Sequence, residues 1–442
     1  MTRPFVWGVA TSAFQIEGAR HVDGKGESIW DRFADEGRLR GGGESPADHY
    51  HRLEEDLDLL AGLGVDAYRF STAWTRVIPD GDGEVNEAGI RFYRRLIDGL
   101  VERGIEPCLT LFHWDLPQAL QERGGWTSRD TSDAFARYAR IMAEELGDGV
   151  GRWITHNEPW VTAFLGHRDG VFAPGMTGWE TGLTVGHNLM VSHGRATRAI
   201  RDVVSDARVG IALDCRPSVP ADESAVDTNR YFDGFRNRWF FDPVFGHGYP
   251  EDMVEDYTRR DHLRGGLATF VSDGDLEEIA APIDFLGLNY YTTLTITAGA
   301  DESNEPEGPV GPDPLEGYTE MGWRNDPNGL ADFLARVSTD YGPQSILVTE
   351  NGASYSDAPN EQGNIDDRRR IDYLDSHIAA VMTARERGVP VDGYFVWSLL
   401  DNLEWVEGLS QRFGLVWIDE HTGERTPKAS YHWYRQRIAA AR

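Results

Sequence analysis

Lysine is almost absent from this chain. Only Lys25 and Lys428 carry an ammonium side chain among 43 basic residues, and 73 acidic residues bring the formal net charge to -30. Because a surface of this sign repels phosphate backbones and anionic membranes overall, we expect no nucleic-acid partner and no membrane partner. The acidity by itself favours solubility and identifies no small-molecule ligand.

Cysteine is equally scarce, and long apolar runs are missing. Cys108 and Cys215 are isolated and lack CxxC spacing, which predicts two reduced core residues rather than a disulfide framework or a zinc site. No apolar run approaches twenty residues, so the sequence argues against a membrane span. The start, Met1-Thr2-Arg3-Pro4, leads directly into an apolar strand-like stretch without the h-region and cleavage site of a signal peptide. We therefore predict a cytoplasmic location, with unconventional secretion and a processed leader as alternatives.

Several familiar signatures are absent too. The sequence contains no GxxxxGK[ST] or GxGxxG phosphate loop, no HExxH motif and no internal repeat of fixed period. No linker rich in proline, serine or glycine divides the 442 residues. We predict one domain, 1–442, that needs no metal and no cofactor.

Short apolar runs alternate with longer amphipathic segments along the chain. The short runs predict strands at 5–10, 67–71, 106–112, 153–157, 209–213, 285–289, 346–350 and 393–397. Apolar residues at three- and four-residue spacing predict helices between them, among others at 54–60, 90–102, 134–146 and 371–387. Eight strand–helix units favour the α/β class, as a single (β/α)8 TIM barrel with elaborated βα loops at its C-terminal face. Residues 300–323 predict a long loop after the sixth strand, which either covers the barrel mouth or is a disordered insertion.

Two glutamates follow buried strands and lie beside an asparagine. Glu158 belongs to Thr-His-Asn-Glu-Pro after the fourth predicted strand, and Glu350 belongs to Thr-Glu-Asn-Gly at the end of the seventh. A buried barrel strand directs its last side chains into the cavity at its C-terminal end. Two carboxyl groups that face one cavity are what cleavage of a glycosidic bond requires, one as proton donor and one as nucleophile or base.

Other predicted strand ends also carry polar or aromatic side chains. Sugar hydroxyls need polar partners, and the faces of a sugar ring stack on aromatic side chains. The candidates are Gln15, Arg69, His113, Trp114, Asn157, Asn289, Tyr291, Trp397, Glu404 and Trp405. Each has a plainer explanation when taken alone, such as a satisfied core histidine for His113 or a buried ion pair for Arg69. Their recurrence favours a binding site, because core packing alone would favour Val, Ile and Leu at these positions.

These residues belong to motifs that resemble glycoside hydrolase family 1. The similarity covers essentially the whole chain: stretch 5–18, the two glutamate motifs, stretch 397–405 and Arg412-Phe413-Gly414-Leu415 occur in that family's order. The resemblance implies a β-glucosidase in which Glu158 is the general acid/base and Glu350 the nucleophile. It implies that Trp397 lies beneath the sugar ring, that Tyr291 and Arg69 flank the nucleophile, and that Trp323 lines the leaving-group side. The remaining implied sugar-binding residues are Gln15, His113, Trp114, Asn157, Asn289, Glu404, Trp405 and Phe413.

The resemblance also distinguishes two branches of the family. Its 6-phospho-β-glycosidases generally lack a carboxylate at the position of Glu404, and a carboxylate repels a phosphorylated sugar while accepting hydrogen bonds from neutral hydroxyls. We therefore expect unphosphorylated β-glucosides and short cello-oligosaccharides as substrates, together with β-galactosides or β-fucosides. The preference between C4 epimers, the leaving group and the oligomeric state stay open.

Two positions depart from the family pattern. His156 replaces the usual apolar or aromatic residue, and Leu403 replaces a common Phe. Strand alternation should direct His156 away from the cavity if Asn157 faces it, whereas a His156 that approaches Glu158 would shift the pH optimum.

The implied mechanism makes demands on both carboxyl groups. Glu158 must be protonated near neutrality, through an apolar wall or the nearby charge of Glu350, and Glu350 must be ionised, which Arg69 and the Tyr291 hydroxyl favour. Retention of stereochemistry implies that the groups lie about 5 to 5.5 Å apart. The rival hypotheses are a noncatalytic sugar-binding barrel and, less favoured, a metal-dependent barrel hydrolase.

Overall fold

The computed structural model describes residues 4–301, 310–312 and 314–442. Its centre is a closed barrel of eight parallel strands: β1 (Val6–Ala10), β2 (Ala67–Ser71), β3 (Glu106–Phe112), β4 (Arg152–Asn157), β5 (Val209–Cys215), β7 (Phe285–Tyr290), β9 (Ile346–Asn351) and β10 (Val391–Trp397). The strands follow one another around the barrel in chain order, and β10 pairs with β1 to close it. The predicted (β/α)8 barrel is thus confirmed.

Helices surround the barrel. They are α1 (Ala13–Ile16), α2 (Ile29–Asp35), α3 (Leu53–Leu63), α4 (Trp74–Val77), α5 (Glu87–Glu102), α6 (Gln118–Gln121), α7 (Arg129–Leu146), α8 (Trp179–Val203), α9 (Val226–Asp233), α10 (Trp239–Val244), α11 (Glu251–Arg259), α12 (Asp275–Ile279), α13 (Pro327–Tyr341), α14 (Arg368–Glu386) and α15 (Ala429–Ala441). Two short ladders lie outside the barrel and join β6 (Ser218–Pro220) to β8 (Leu294–Ile296) and β11 (Val416–Ile418) to β12 (Arg425–Pro427). Within the described residues, no helix is both long and apolar enough to cross a bilayer.

Almost every position of the barrel strands is buried, because one face meets the barrel interior and the other meets the helices. Small residues such as Ala67, Cys108 and Ala212 share the inner apolar cluster with the larger Phe285 and Phe395. Cys108 and Cys215 are both buried free thiols, as the sequence predicts.

The predicted elements are found with shifted ends. All eight predicted strands form, but β5 continues to Cys215 and β10 begins at Val391, each two residues beyond the prediction. Residues 302–309 and 313 of the predicted loop 300–323, and Met1-Thr2-Arg3 at the start, lie outside the described residues. The described part of 310–323 has no helix or strand, so the predicted loop is confirmed there.

Two strands carry register shifts immediately before the glutamates. Opposite β5, Ile154 pairs with Gly210 and Asn157 with Ala212, so three steps on β4 match two on β5. A similar shift in β9 lies between Val348 and Glu350, opposite β7. Bulges of this kind redirect side chains and are common beside active sites.

Candidate active site

A cavity of about 810 Å³ opens at the C-terminal end of the barrel. Ten predicted site residues line it: His113, Trp114, Glu158, Tyr291, Trp323, Glu350, Trp397, Glu404, Trp405 and Phe413. The other four predicted residues, Gln15, Arg69, Asn157 and Asn289, are almost fully buried and hydrogen bond to the lining residues or to the loops that carry them. The sequence therefore identified one spatial cluster.

Glu350 ends β9 between a cation and a hydroxyl. Arg69 donates from Nη1 to Glu350 Oε1 at 2.6 Å, and the Tyr291 hydroxyl donates to Oε2 at 2.6 Å. Burial raises the pKa of Glu350, while Arg69 and Tyr291 favour its charged form. Both carboxylate oxygens are thus held in fixed positions, and the predicted flanking roles of Arg69 and Tyr291 agree with these contacts.

Glu158 has a different environment. Its backbone φ is +46°, in the left-handed region that a residue with a side chain rarely adopts, and its N–H donates to Ala212 O at 2.8 Å. Asn289 donates from Nδ2 to Glu158 Oε1 at 2.6 Å. Burial raises the pKa of Glu158 well above its usual range, and the charges of Asp214 and Glu350 raise it further. This group is therefore the better proton donor of the two.

Amide side chains connect the two glutamates. Asn157 Oδ1 accepts hydrogen bonds from Arg69 Nη2 at 2.6 Å and from Asn289 Nδ2 at 2.9 Å. Asn157 also donates from Nδ2 to His113 Nε2 at 3.1 Å. Burial, with the charge of Arg69, lowers the pKa of His113 well below its usual value, so its imidazole is neutral and accepts this bond. The hydrogen bonds of this buried network fix both carboxyl groups, and both glutamates still line the cavity.

Aromatic rings form one wall of the cavity. The ring centroids of Trp114 and Trp405 lie 4.4 Å apart, and the His113 ring stacks at 5.8 Å from both Trp397 and Trp405. Trp114 and Trp405 also have positive φ values, +78° and +46°. Together with Glu158, three lining residues thus adopt backbone conformations that cost free energy, and such strain is common at functional sites.

Glu404 lies beside this wall, and its buried Oε2 atom has no hydrogen-bond partner among the residues that the structure describes. Burial raises the pKa of Glu404 to about 8, and the charges of Glu350 and Glu407 contribute. This shift favours the protonated form of Glu404 at neutral pH, whereas the sequence analysis treated Glu404 as a carboxylate. It is then able to donate as well as accept hydrogen bonds. Gln15 supports this region by donating from Nε2 to Asn402 Oδ1 at 3.0 Å and to Leu403 O at 2.8 Å.

A second aromatic group includes Tyr291, which contacts Glu350. The Trp323 ring centroid is 5.1 Å from that of Tyr291 and 6.1 Å from that of Phe413, and the Arg216 guanidinium lies 5.0 Å from the Trp323 ring. Tyr291, Trp323 and Phe413 all line the cavity.

His156 points away from the cavity, as strand alternation predicts. Its Nε2 lies 2.7 Å from Ser192 Oγ on α8, and its ring packs 4.5 Å from Phe135 on α7. Burial lowers the pKa of His156 well below its usual value, so it is a neutral core residue. It has no contact with Glu158 that would shift the pH optimum.

Several cavity residues escaped the sequence analysis. Asp214 lies at the end of β5, pairs in register with Asn289 and accepts a hydrogen bond from Arg236 Nη2 at 3.0 Å. The predicted strand stops at residue 213, so Asp214 was not recognised as a residue at the end of a strand. The other missed lining residues are Trp160, Val161, Leu165, Arg168, Asp169, Val171, Phe172, Arg216, Arg236 and Met321.

No group of three or more His, Cys, Asp and Glu side chains in the described part of the chain is arranged to hold a metal ion. His49 and His51 have HxH spacing but contact different carboxylates, Asp56 at 2.8 Å and Asp48 at 2.7 Å.

Comparison with known proteins agrees with this geometry. The sequence profile of glycosyl hydrolase family 1 matches residues 1–442. β-Glucosidase A of Acetivibrio thermocellus is 43% identical over 99% of this chain and 97% of its own length. A 1,4-β-D-glucan glucohydrolase of Thermotoga neapolitana is 42% identical over 97% and 96%, respectively. Among solved structures, the β-glucosidase of Thermotoga maritima in complex with azafagomine superposes with a TM-score of 0.92 at 41% identity, covering 100% of this chain and 99% of the other.

Proposed function

The chain belongs to glycosyl hydrolase family 1, and on that premise we propose that it is a retaining β-glucosidase with Glu158 as general acid/base and Glu350 as nucleophile. The observation that carries the proposal is the unequal environment of two carboxyl groups in one cavity. Arg69 and Tyr291 hold Glu350, whereas Asn289 and the nearby charge of Asp214 surround Glu158.

The reaction proceeds in two displacements. A Glu350 oxygen attacks the anomeric carbon while Glu158 gives its proton to the departing glycosidic oxygen, which leaves a glycosyl ester on Glu350. Glu158, now ionised, takes a proton from a water molecule that attacks the same carbon and releases Glu350. Two inversions give net retention, and the two carboxyl groups should lie about 5 to 5.5 Å apart.

In this proposal, the sugar ring lies on Trp397, and the sugar also contacts Glu404 and Trp405. A Glu404 that is mostly protonated repels a phosphate group less than the carboxylate that the sequence suggested. A phosphorylated sugar would nevertheless enter a cavity that contains four further acidic side chains, Glu158, Asp169, Asp214 and Glu350. Two of the cavity arginines, Arg168 and Arg236, are already bonded to Asp169 and Asp214. We therefore propose neutral glycosides as substrates.

We propose terminal β-D-glucosyl residues as the main target, including those of short cello-oligosaccharides. The similarity to the 1,4-β-D-glucan glucohydrolase of Thermotoga neapolitana supports this class. β-Galactosides and β-fucosides should also react, because C4 epimers differ by the direction of one hydroxyl. A kcat/KM panel of aryl β-glycosides and cello-oligosaccharides tests the ranking.

The decisive experiment is Glu350→Gly with an added small anion. We expect the variant to lose hydrolysis and to regain turnover of an activated aryl β-glucoside with azide, since azide occupies the place of the missing carboxylate. The product should be the glycosyl azide of inverted configuration. An intact fold without any azide rescue would remove Glu350 from the nucleophile role.

A noncatalytic sugar-binding barrel is the alternative from another class. It predicts saturable binding of glucose without release of nitrophenol from a chromogenic β-glucoside by the wild type. The cytoplasmic location also stays a proposal, which the buried free thiols of Cys108 and Cys215 support and cell fractionation tests.

A further inference from the structure

Lys428 is one of the chain's two lysines and lies fully buried immediately before α15. A buried ammonium carries a large desolvation cost unless a counter-charge and hydrogen bonds compensate for it. Lys428 Nζ donates to Asp401 Oδ1 at 2.7 Å, and neither side chain is more than 4% exposed. The pair is thus closed to solvent and is not part of the acidic surface.

Asp401 is a junction between two segments of the chain. Its Oδ1 atom also accepts the Gly414 N–H at 2.9 Å, and its Oδ2 atom accepts a hydrogen bond from Arg412 Nη1 at 3.1 Å. One carboxylate therefore binds loop 398–405, which contains it, to segment 412–416 and to the start of α15.

Both segments contribute to the cavity wall. Loop 398–405 carries Glu404 and Trp405, and segment 412–416 carries Phe413. Backbone hydrogen bonds join the segments, with Leu415 N to Ser398 O at 2.9 Å and Asp401 N to Val416 O at 2.9 Å. The packing is close: a Cβ atom on Gly414 would lie 2.1 Å from Asp401 N. A displacement of Asp401 must therefore move both sides of the junction.

We propose that Lys428 is a positioning residue, which pairs with Asp401 to fix loop 398–405 against segment 412–416 and so places Glu404, Trp405 and Phe413 for sugar binding. The inference rests on the proposed function, since it assigns these three side chains to the sugar. Lys428 does not line the cavity and acts only through Asp401.

The pair should respond to alkaline pH. Burial lowers the pKa of Lys428 to about 8, Asp401 opposes this shift, and Arg370 adds to it. Asp367 and Arg370, at the start of α14, are the other charged groups that act on the ammonium, and Arg412 shares Asp401 with it. Loss of the proton above pH 8 removes the Lys428 charge from Asp401, whose remaining partners are the Arg412 guanidinium and the Gly414 N–H, and should weaken sugar binding.

Fold stability changes in the opposite direction over the same interval. The pKa of Lys428 in the fold lies below the 10.5 of an unperturbed lysine, so between about 8 and 10.5 the unfolded chain binds more protons. This group's contribution to the free energy of unfolding therefore rises with pH. Weaker sugar binding without a lower Tm from this group is the signature of positioning rather than of general unfolding.

Two variants of the full chain test the proposal, Lys428→Met and Asp401→Asn. For both, we expect kcat/KM on an aryl β-glucoside to fall by about 10- to 100-fold, mainly through KM, because misplacement by about 1 Å costs up to about 10²-fold. The matched control is Lys25→Met, which removes the other buried lysine pair, with Asp31 at 2.7 Å; neither Lys25 nor Asp31 lines the cavity. It should lower Tm and leave KM close to that of the wild type.

A double-mutant cycle and a pH series complete the test. If Lys428 acts through loop 398–405, adding Lys428→Met to Glu404→Gln should cost much less than Lys428→Met alone. The pKa of Glu404 also lies at about 8, so a rise in KM above this pH in the wild type does not by itself distinguish Glu404 from Lys428. The test therefore compares two proteins, and the alkaline rise in KM should be smaller in Lys428→Met than in the wild type.

Folded variants with wild-type KM, or equal pH dependence of KM in both proteins, would overturn the proposal. If Lys428→Met does not fold, Asp401→Asn decides by the same KM criterion. A wild type that cleaves no β-glycoside would instead contradict the proposed function. Calorimetric binding of glucose to wild type and variants would then still test the positioning role.

Discussion

Glu158 and Glu350 carry the same functional group, and their neighbours make them unequal. Asp214, at the end of β5, is the neighbour that adds negative charge beside Glu158, and its own partner is Arg236. Arg69 gives Glu350 a cation in direct contact. Interacting carboxyl groups titrate as a pair, so the pH profile should report both environments together.

Asp214→Asn should move the alkaline limb of the kcat/KM profile to lower pH. Removing the negative charge lowers the pKa of Glu158, and Glu158 must be protonated to act as the acid, so activity is lost at a lower pH than in the wild type. The acid limb, set by Glu350, should move little. The measurement is kcat/KM on an aryl β-glucoside from pH 4 to 10. Asp169→Asn serves for comparison, because Asp169 also lines the cavity and pairs with an arginine. An unmoved alkaline limb in Asp214→Asn would contradict this role.

Glu158→Ala should separate leaving groups. Aryl glucosides with good leaving groups need no proton, so they should still form the glycosyl-enzyme and then turn over slowly, with a burst of phenol release. Poor leaving groups should lose about 10²- to 10⁴-fold in rate, the usual contribution of a positioned acid. Equal losses for both classes would remove Glu158 from the acid role.

The sequence predicted the contacts of Glu350 better than those of Glu158. Arg69 and Tyr291 follow from strand-end positions and from the family resemblance, and both contact Glu350 as expected. Asp214 belongs to no motif, and a strand predicted to end at 213 hid it. The sequence also gave no sign that burial raises the pKa of Glu404 to about 8, because burial depth cannot be read from an amino-acid type.

Among the structural elements that carry the site, β4, β9 and β10 have irregular register. The shift in β4 allows Thr155 and His156 both to contact α8 while Asn157 turns into the barrel. Simple alternation gave the right direction for His156 but no hint of the bulge, since period-two patterns assume regular pairing. The existence of the strands was predictable from apolar runs. The ends of the strands were not, because the last residues are polar side chains of the site and interrupt the apolar pattern.

At Gly352, the chain that follows β9 passes close to the end of β10. A Cβ atom there would lie 1.9 Å from the Trp397 carbonyl oxygen. Gly352→Ala should therefore displace Glu350 or Trp397, lower stability by about 1–3 kcal/mol and reduce kcat/KM by up to about 10²-fold. Urea unfolding and steady-state kinetics measure the two effects.

A matched glycine controls for that substitution. At Gly83, the nearest atom to an added Cβ is a side-chain oxygen of Asp80, 3.3 Å away. Gly83→Ala should leave kcat/KM unchanged. A Gly352→Ala enzyme with wild-type kinetics would show that this contact does not position the site.

The whole molecule combines a closed eight-stranded barrel with a net charge of -30. Alternating strands and helices were enough to predict the closed barrel, because few other architectures bury eight parallel strands on both faces. The ladders β6–β8 and β11–β12 were not predictable, since three-residue strands produce no periodic signal.

Salt should stabilise this protein at neutral pH. With a net charge of -30, the excess negative side chains repel one another in the folded state, and salt screens this repulsion. Salt also weakens exposed ion pairs, but each of these contributes only about 0–1 kcal/mol, so the screening of the repulsion should dominate. We expect Tm at pH 7.5 to rise between about 20 and 500 mM NaCl, as the screening length shortens. Near the isoelectric point of about 4.7, the same salt series should have a smaller effect. A Tm that falls with salt at pH 7.5 would contradict this balance.

The near absence of lysine has a practical consequence for labelling. Lys428 is enclosed, and Lys25 is 6% exposed and bonded to Asp31, so reagents that acylate ε-amino groups find almost no target on the native protein. Opening of the fold would release both amines at once. Acyl incorporation at these two positions therefore serves as a clock for global opening, and attachment to a solid support through lysine would select molecules that have already lost their structure.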